Sequence, residues 1–322
     1  MPKTFTDLAH GAPIRHALNG QVMGTRWTAV VYTGAQDVTA LQADLAACVA
    51  KVDQQMSTWK PDSDLSRLNA AAVGEWLPQP PELLQVISAG LAVGAASAGA
   101  FDIGLGDLVT AWGFGAAQAD VAAVRDLIHK PRPRADQIIE VNRADGTLRK
   151  RAAIQIDLNG IAKGFAVDQM IAVLATHGVE NALVGLDGEL RATGTPPGSA
   201  PWTIAVERPD YAQRAPEAVL SLENAAVATS GDYRHWIEVD NRRLSHTMDV
   251  TRGGPLNDGP ASVTVVAETC MLADAWATAL MVMGSARGAE LARALNLNAL
   301  FLDRAGTTFR QTAIGPLFAS AP

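Results

Sequence analysis

Two aspartates and one lysine surround a glycine-rich corner in the stretch IDLNGIAKGFAVDQMI, residues 156–171. Ile154 and Ile156 before the corner are typical of the end of a strand, and the apolar spacing after it predicts a helix that stops at Gly178. Free backbone N–H groups at a helix start attract anions, and Lys163 adds a positive charge, which suits a phosphate site. The same residues also fit an ordinary capped helix start with a solvated lysine.

Asp274 and Thr278 are a second pair of candidate groups, four residues apart in CMLADAWATALMVMG. Because this spacing is about one helical turn, both side chains project from one face of the predicted helix. A carboxylate and a hydroxyl there suit a hard cation such as Mg²⁺, which takes oxygen ligands including backbone carbonyls. A structural interpretation stays open, in which Asp274 is a helix-start charge and Thr278 bonds the preceding turn.

Two predicted loops carry further polar candidates. His246, in RLSHTMDVTRGGP, follows a predicted strand. An imidazole with an ordinary pKa of about 6.5 is a natural general base for a hydroxyl nucleophile, although a surface histidine without function fits the same position. Thr229, Ser230 and Asp232, in VATSGDYRHW, form a polar turn that is either part of a site or a plain hairpin turn.

Composition and charge argue against several classes of protein. A chain of 322 residues, with 48% hydrophobic and 18% charged residues, is long enough for one large or two smaller globular domains. A net charge of −7 argues against nucleic acid or an anionic membrane as the main partner. The two cysteines, Cys48 and Cys270, form no CxxC motif, so they imply neither a disulfide framework nor a thiolate metal site; Cys48 fits a buried structural thiol.

The uncharged run LLQVISAGLAVGAASAGAF raises the question of a membrane span. It is mostly Ala, Gly and Ser and opens after Pro80 and Pro81, so we predict instead a buried helix of a soluble protein that ends near Gly99. The N-terminal stretch MPKTFTDLAHGAPIRHALNG has no apolar secretory segment and no lipidation cysteine, which predicts a cytoplasmic protein as the sequence is written. A periplasmic protein whose start has been trimmed would look the same.

Hydrophobic periodicity predicts an α+β fold with mostly antiparallel strands. After the helix that stops at Gly178, short strands broken by turn residues follow one another, which argues against a doubly wound parallel sheet. Residues 116–150 are more charged and are predicted to be a peripheral segment. The other predicted elements are a strand over 20–33, a long helix marked by Val38 to Met56, helices from about Thr269 to Met283 and from Ala286 to Leu295, and a last hairpin near DRAGTT.

Seven stretches of the chain form an ordered set: MGT at 23–25, AFDIGLGDLVTAWGFG at 100–115, IDLNGIAKGFAVD at 156–168, VGLDGELRATG at 184–194, ATSGDYR at 228–234, SHTMDVTRGGP at 245–255 and SVTVVAETCMLADAWATALMVMG at 262–284. In this order they resemble the ApbE-type family of flavin transferases, the FAD:protein FMN transferases. No single stretch is diagnostic, but the ordered set is highly specific and covers about residues 20–305.

The resemblance implies an ApbE-like α+β fold in a domain of residues 20–322, with a cleft for FAD and metal between two subdomains, after an N-terminal extension of residues 1–19. Members of the family use Mg²⁺, with Mn²⁺ or Ca²⁺ as alternatives, to move the FMN part of FAD to a threonine or serine of an acceptor protein, and AMP is released. By resemblance His246 activates the acceptor hydroxyl. The residues implied to line the FAD site are Met23, Ala100, Phe101, Asp102, Asp157, Lys163 and Met248. The residues implied to hold the metal are Gly160 (through its carbonyl), Asp274 and Thr278.

The chain departs from the family pattern at two places. Asp187-Gly188 stands where many members have Gly-Gly, and Ala277 stands where some members have a second aspartate, so a second ion is less expected. Asp168, within the helix, is expected to have a structural role. The expected partners are FAD and an acceptor subunit of an electron-transfer complex, with no nucleic acid and no membrane span. Two alternatives stay open: a Mg²⁺-dependent FAD pyrophosphatase and a non-catalytic flavin-binding protein.

Overall fold

The computed structural model describes residues 13–34, 38–116, 118–128, 130–198, 200–234, 236–239 and 242–318. The strands in chain order are β1 (Ile14–Val22), β2 (Thr25–Thr33), β3 (Leu77–Pro78), β4 (Ile139–Asn142), β5 (Thr147–Lys150), β6 (Asn181–Leu186), β7 (Glu189–Thr193), β8 (Trp202–Glu207), β9 (Pro216–Leu222), β10 (Ala226–Gly231), β11 (Trp236–Val239), β12 (Arg242–Ser245), β13 (Met248–Asp249), β14 (Gly254–Pro255), β15 (Ser262–Ala267), β16 (Asn298–Ala305) and β17 (Thr308–Ile314). The helices are α1 (Val38–Met56), α2 (Asp64–Ala70), α3 (Pro81–Ala96), α4 (Gly106–Ala111), α5 (Val121–Leu127), α6 (Ala135–Ile138), α7 (Ala162–Thr176) and α8 (Cys270–Ala294).

An eight-stranded antiparallel sheet forms the centre of the molecule, in the order β1-β2-β6-β7-β10-β15-β16-β17. Side chains alternate between its two faces. Val265 and Phe301 belong to the core that the sheet shares with α1, α7 and α8, whereas their neighbours Val266 and Leu302 pack with the β8–β9 ribbon. The expected α+β fold with a mostly antiparallel sheet and packed helices is therefore confirmed.

Two tight turns lie at the same end of this sheet. Residues 20–33, predicted to be one strand, are instead an antiparallel hairpin, because Met23 (φ 51°) and Gly24 (φ 70°) both take the left-handed conformation of a two-residue hairpin turn. The β6–β7 hairpin turns in the same way at Asp187 (φ 54°) and Gly188 (φ 112°). Since β2 pairs with β6, the two turns are neighbours.

The helices largely follow their sequence signals. Helix α1 covers Val38–Met56 as predicted, and α3 begins at Pro81, which fits the first turn because its missing N–H has no intrahelical partner there. The break that separates the two predicted C-terminal helices is Gly284, whose φ of 76° interrupts α8. Among the described residues no helix combines the length and apolar character needed to cross a membrane.

The segment before the glycine-rich corner is not a strand, contrary to the prediction. Ile156 donates its N–H to Asn69 Oδ1 (2.7 Å), and Asn69 Nδ2 donates to the Ile156 carbonyl (2.8 Å), so a side chain of α2 takes the place of a neighbouring strand. Thr229 and Ser230, predicted in a turn, lie instead in β10, because they pair with β15. The stretch 101–115 contains the short helix α4.

The outer segments have their own structure. Described residues of the segment 116–150 form α5, α6, β4 and β5, and the last two join β3 in a three-stranded sheet. Of the extension predicted for residues 1–19, residues 1–12 lie outside the described part of the chain, and β1 begins at Ile14.

Candidate active site

The two neighbouring turns form one wall of the candidate site. Thr25 Oγ1 donates to Asp187 Oδ1 (3.2 Å), which ties the β1–β2 turn to the β6–β7 turn. The stretch from Gln21 to Arg26 borders a cavity of about 550 Å³. Met23, an expected FAD residue, is at the apex of this wall and is partly buried. The antiparallel register of β7 and β10 brings Ser230 to the same end of the sheet.

Lys163, in the first turn of α7, points its ammonium group at this wall. Its Nζ lies 2.9 Å from Glu189 Oε1 and 3.2 Å from Asp187 Oδ2. Burial lowers the pKa of the ammonium group, but the carboxylates of Glu189, Asp274 and Asp187 outweigh burial and raise that pKa well above its ordinary value. Lys163 is therefore a fixed positive charge, as a phosphate-binding lysine must be.

Asp274, on α8, is buried against the start of α7. It is 4% exposed, and its Oδ2 accepts the N–H of Gly164 at 3.1 Å. A Cβ on Gly164 would lie 2.3 Å from the Cys270 carbonyl oxygen, so glycine is what lets the two helices approach this closely. Burial, reinforced by the charge of Glu189, raises the pKa of Asp274, while the Lys163 charge opposes the rise.

Thr278 lies one helical turn after Asp274 and faces Ser230 and Gly160. Its Oγ1 is 3.0 Å from Ser230 Oγ. A Cβ on Gly160 would lie 3.2 Å from Thr278 Oγ1 and 3.2 Å from Phe101 Cε2, so the glycine-rich corner passes between the hydroxyl and the aromatic ring. The structure thus brings together Gly160, Thr278 and Phe101 from distant parts of the sequence.

The loop of residues 100–104 is bonded to the segment before the corner. Asp157 donates its N–H to the Ile103 carbonyl (2.8 Å), and burial raises the pKa of the Asp157 carboxyl to about 6 despite a hydrogen bond from the Asn159 N–H. Asp102 Oδ1 accepts the N–H groups of Gly104 (2.7 Å) and Ala135 (3.2 Å), and burial raises its pKa too. The Asp157 backbone N–H and the Asp102 carboxylate therefore help to fix the loop that carries Phe101.

Ala100 also belongs to this loop. It is partly buried, and its N–H donates to the Ser97 carbonyl at the end of α3 (3.2 Å). The Phe101 N–H donates to Ser97 Oγ (3.1 Å). The expected FAD residues Ala100 and Phe101 are therefore held in place by α3.

His246 and Met248 lie on a different part of the surface of the site. Met248 is buried with Leu105 and Leu108, and so packs on α4. His246 is partly exposed in the short connection between β12 and β13. The Thr247 carbonyl accepts the Leu256 N–H (2.8 Å), and the loop that follows Leu256 packs near Met281, about one turn beyond Thr278. The connection that carries His246 therefore runs towards α8.

Glu189 is a site residue that the sequence did not predict. It is 4% exposed, and while Oε1 binds Lys163, no described residue gives its Oε2 a hydrogen bond. Glu189 and Arg191 lie two residues apart in a strand, so their side chains share one face. Charged side chains are seldom buried without a partner, so this pair on a strand with one buried face could have revealed the site. Asp187, noted only as a departure from the family pattern, also contacts Lys163.

The oxygen atoms near α8 suit a hard cation of the Mg²⁺ type. In the described part of the chain no three His, Cys, Asp or Glu side chains converge to hold a metal. The candidate donors are one carboxylate (Asp274), one hydroxyl (Thr278) and, as the family resemblance implies, the carbonyl of Gly160, a residue that lies beside Thr278. Mg²⁺ is typically bound by one carboxylate and a few neutral oxygens, with water and substrate phosphate as the remaining ligands. The residues at this site therefore fit Mg²⁺.

Comparisons with known proteins show which family the chain belongs to. The model of the ApbE family matches residues 23–301. A FAD:protein FMN transferase of Vibrio cholerae serotype O1 is 36% identical over 301 residues, which cover 92% of this chain and 90% of that protein. The structure of the flavin transferase ApbE from Vibrio cholerae superposes with a TM-score of 0.83 at 32% identity, over 95% of this chain and 98% of the other. The structure of the apo flavinyl transferase ApbE of Pseudomonas stutzeri superposes with a TM-score of 0.85 at 33% identity, over 98% of this chain and 100% of the other.

Proposed function

The chain belongs to the ApbE family, and we propose that it is a FAD:protein FMN transferase that attaches FMN to a threonine or serine hydroxyl of an acceptor protein. The observation that carries this proposal is the corner where Lys163 and Asp274 meet at the start of α7, beside the Gly160 backbone and the Thr278 hydroxyl. A fixed cation and oxygen ligands for a metal lie together there, as transfer from a pyrophosphate requires.

FAD would bind in a cleft between the wall of two turns and the loop of residues 100–104. Met23 at the apex of the wall and Phe101 in the loop would contact the flavin dinucleotide, and Asp157 and Met248 would complete the lining. Lys163 supports this placement, since its ammonium group is already held at the wall by two carboxylates and stays charged. Its position favours binding of the FAD phosphates.

The reaction is a phosphoryl transfer with one bond formed and one broken. The acceptor oxygen attacks the phosphorus on the FMN side of the pyrophosphate, the bond from that phosphorus to the bridging oxygen breaks, and AMP leaves with the bond's electrons. His246 takes the proton of the acceptor hydroxyl as general base. Asp274, Thr278 and the Gly160 carbonyl would hold Mg²⁺, which when bound neutralises charge on the pyrophosphate.

The orientation of the reacting groups accounts for the rest of the catalysis. Phosphoryl transfer needs little covalent help from the protein, so catalysis depends on holding the attacking and leaving oxygens in line. The place of Gly160 between Thr278 and Phe101 would hold the metal and the flavin in a fixed relation. His246, on its separate loop, approaches from the side where an acceptor protein can enter.

Intact-mass analysis of a flavin-acceptor subunit tests the proposal. The subunit is incubated with this protein, FAD and Mg²⁺, with EDTA in the control. A mass gain equal to an FMN phosphoester, absent with EDTA, is the expected result. Free FMN and AMP without a mass gain would replace the proposal with a pyrophosphatase that uses water. Intact FAD, with acceptors from several electron-transfer complexes, would overturn it in favour of a flavin-binding protein.

A further inference from the structure

Helices α7 and α8 exchange hydrogen bonds through one carboxylate each. Asp168 on α7 accepts the N–H groups of Cys270 and Met271, the first residues of α8, at 2.9 Å each. Asp274 on α8 accepts the N–H of Gly164, near the first residue of α7, at 3.1 Å. Each helix therefore holds the backbone of the other by one carboxyl side chain. The bonds to Asp168, which is paired with Arg191, are charge-assisted, and bonds of this kind are stronger than neutral ones.

Strand β7 supports both helices from the sheet. Glu189 and Arg191, two residues apart, lie on the same face of the strand. Glu189 binds Lys163, and Arg191 Nη1 lies 2.5 Å from Asp168 Oδ1. The carboxylate that orients α8 is thus itself fixed by an ion pair next to the one that fixes the candidate FAD lysine.

We propose that Asp168 is a positioning residue for the metal ion: it sets the place of α8 relative to α7, and through it the distance between Asp274, Thr278 and the Gly160 carbonyl. The inference rests on the proposed function, because it concerns the Mg²⁺ site of that reaction. Asp168 does not touch the substrate or the ion. It acts one turn before Asp274, on the first backbone groups of the helix that carries both metal ligands.

The physical reason is the narrow tolerance of a small hard cation. Mg²⁺ requires near-octahedral geometry with short metal–oxygen distances, so a shift of α8 by a fraction of an ångström separates its ligands from the Gly160 carbonyl. Residues that orient metal ligands through hydrogen bonds typically change metal affinity by about 10- to 100-fold when they are replaced. Asn at position 168 keeps the shape, but loses the charge and one of the two acceptor oxygens.

A simple helix cap is the competing explanation, and the chain offers a matched control for it. Thr269 is the N-cap of α8 and accepts the Leu272 N–H at 3.3 Å, without a bond to α7. Replacing it with alanine weakens the start of the same helix but leaves the exchange between the two helices intact. Thr269→Ala and Asp168→Asn therefore separate helix stability from helix placement.

The test measures Mn²⁺ binding by the electron paramagnetic resonance signal of the free ion, with full-length protein and FAD. We expect Asp168→Asn to raise the Mn²⁺ dissociation constant about 10- to 100-fold, and Thr269→Ala to leave it within about two-fold of the wild type. The concentration of Mg²⁺ for half-maximal transfer should rise in parallel for Asp168→Asn, while the rate at saturating Mg²⁺ stays close to that of the wild type.

Two outcomes would overturn the inference. Unchanged Mn²⁺ affinity in Asp168→Asn, with a lower melting temperature, would reduce Asp168 to a structural cap, and so would equal losses of affinity in both variants.

Arg191→Gln, which removes the ion-pair partner of Asp168 from the sheet, replaces Asp168→Asn if that variant fails to fold, with the same expected direction. If the wild type binds Mn²⁺ with FAD but transfers no FMN, the proposed function fails while the positioning role can still be measured.

Discussion

The two halves of the candidate site differ in how firmly the fold holds them. The corner between α7 and α8 is buried, and its carboxylates are tied to Lys163, to Arg191 or to backbone N–H groups. The region that carries His246 consists of β13 and β14, two strands of two residues each, and of partly exposed loops. Precise geometry is thus built into the first half, whereas the second half consists of short strands and partly exposed loops.

This difference matches the two substrates of the proposed reaction. FAD and a metal ion have fixed shapes, so a preorganised site on rigid elements binds them best. An acceptor protein is a large partner that must approach, react and leave, and residues that meet such partners are commonly found on loops. The contrast predicts that substitutions in the corner impair metal and FAD chemistry together, whereas substitutions in the His246 region impair transfer alone.

The largest effect is expected at the corner. Asp274→Ala should lower Mg²⁺-dependent transfer by about 10⁴-fold or more, because the carboxylate supplies the main protein charge on the metal. Mn²⁺ binding in the presence of FAD should be lost in the same variant. The matched control is Asp145→Ala in an exposed turn, which should leave both properties unchanged. Retained Mg²⁺-dependent transfer by Asp274→Ala would remove Asp274 from the metal site.

A smaller effect, confined to chemistry, is expected at the loop. His246→Ala should reduce transfer by about 10³-fold, within the usual range for a lost general base. FAD affinity, measured by flavin fluorescence, should stay within a few-fold of the wild type, because the corner is intact. His177→Ala, at a histidine that pairs with Asp44 at the end of α7, is the control. Equal rates for wild type and His246→Ala would mean that another group takes the proton.

The smallest expected effect is on stability, and it measures how much the burial of the Asp157 carboxyl lowers the free energy of unfolding. Burial raises the pKa of Asp157 from 3.8 to about 6, so between these values the folded state keeps a proton that the unfolded state has lost. The free energy of unfolding of the wild type should therefore fall, relative to Asp157→Asn, by about 3 kcal/mol as the pH rises through this window, and stay lower above it.

Urea denaturation of ligand-free protein at several pH values checks this prediction. Asp145→Asn, at an exposed turn, is the matched control and should show no such trend relative to the wild type. A difference between wild type and Asp157→Asn that does not change with pH would show that the Asp157 carboxyl is better solvated than its burial indicates.

Local geometry made part of the site predictable from the sequence. The four-residue spacing of Asp274 and Thr278 fixes both on one helix face wherever the helix lies, and Gly178 stops α7 as expected, with φ of 71°. The resemblance to a known family supplied the rest of the set. Periodicity could not place Gly160 beside Thr278, because that contact depends on how α7 and α8 pack.

Two of the features that the sequence did not predict depend on long-range contacts, and a third depends on an unusual local backbone conformation. The segment around Ile156 looked like a strand because it is extended and apolar, but its partner is the Asn69 side chain, 87 residues away in the chain. Glu189 went unnoticed because strand register, not residue type, decides that it faces Lys163. The turn at Met23 was missed because a non-glycine residue adopts a positive φ there, a choice that local propensity disfavours.

The hydrogen-bond exchange between α7 and α8 also determines when the site can form during protein synthesis. Gly164 and Asp274 are 110 residues apart, and Asp168 and Cys270 are 102 apart, so the ribosome must make most of the polypeptide before these partners meet. Such distant pairings form late, after the local helices and hairpins. A nascent chain that has not yet released α8 therefore has Lys163 but no Asp274, so the proposed metal site can form only near the end of translation.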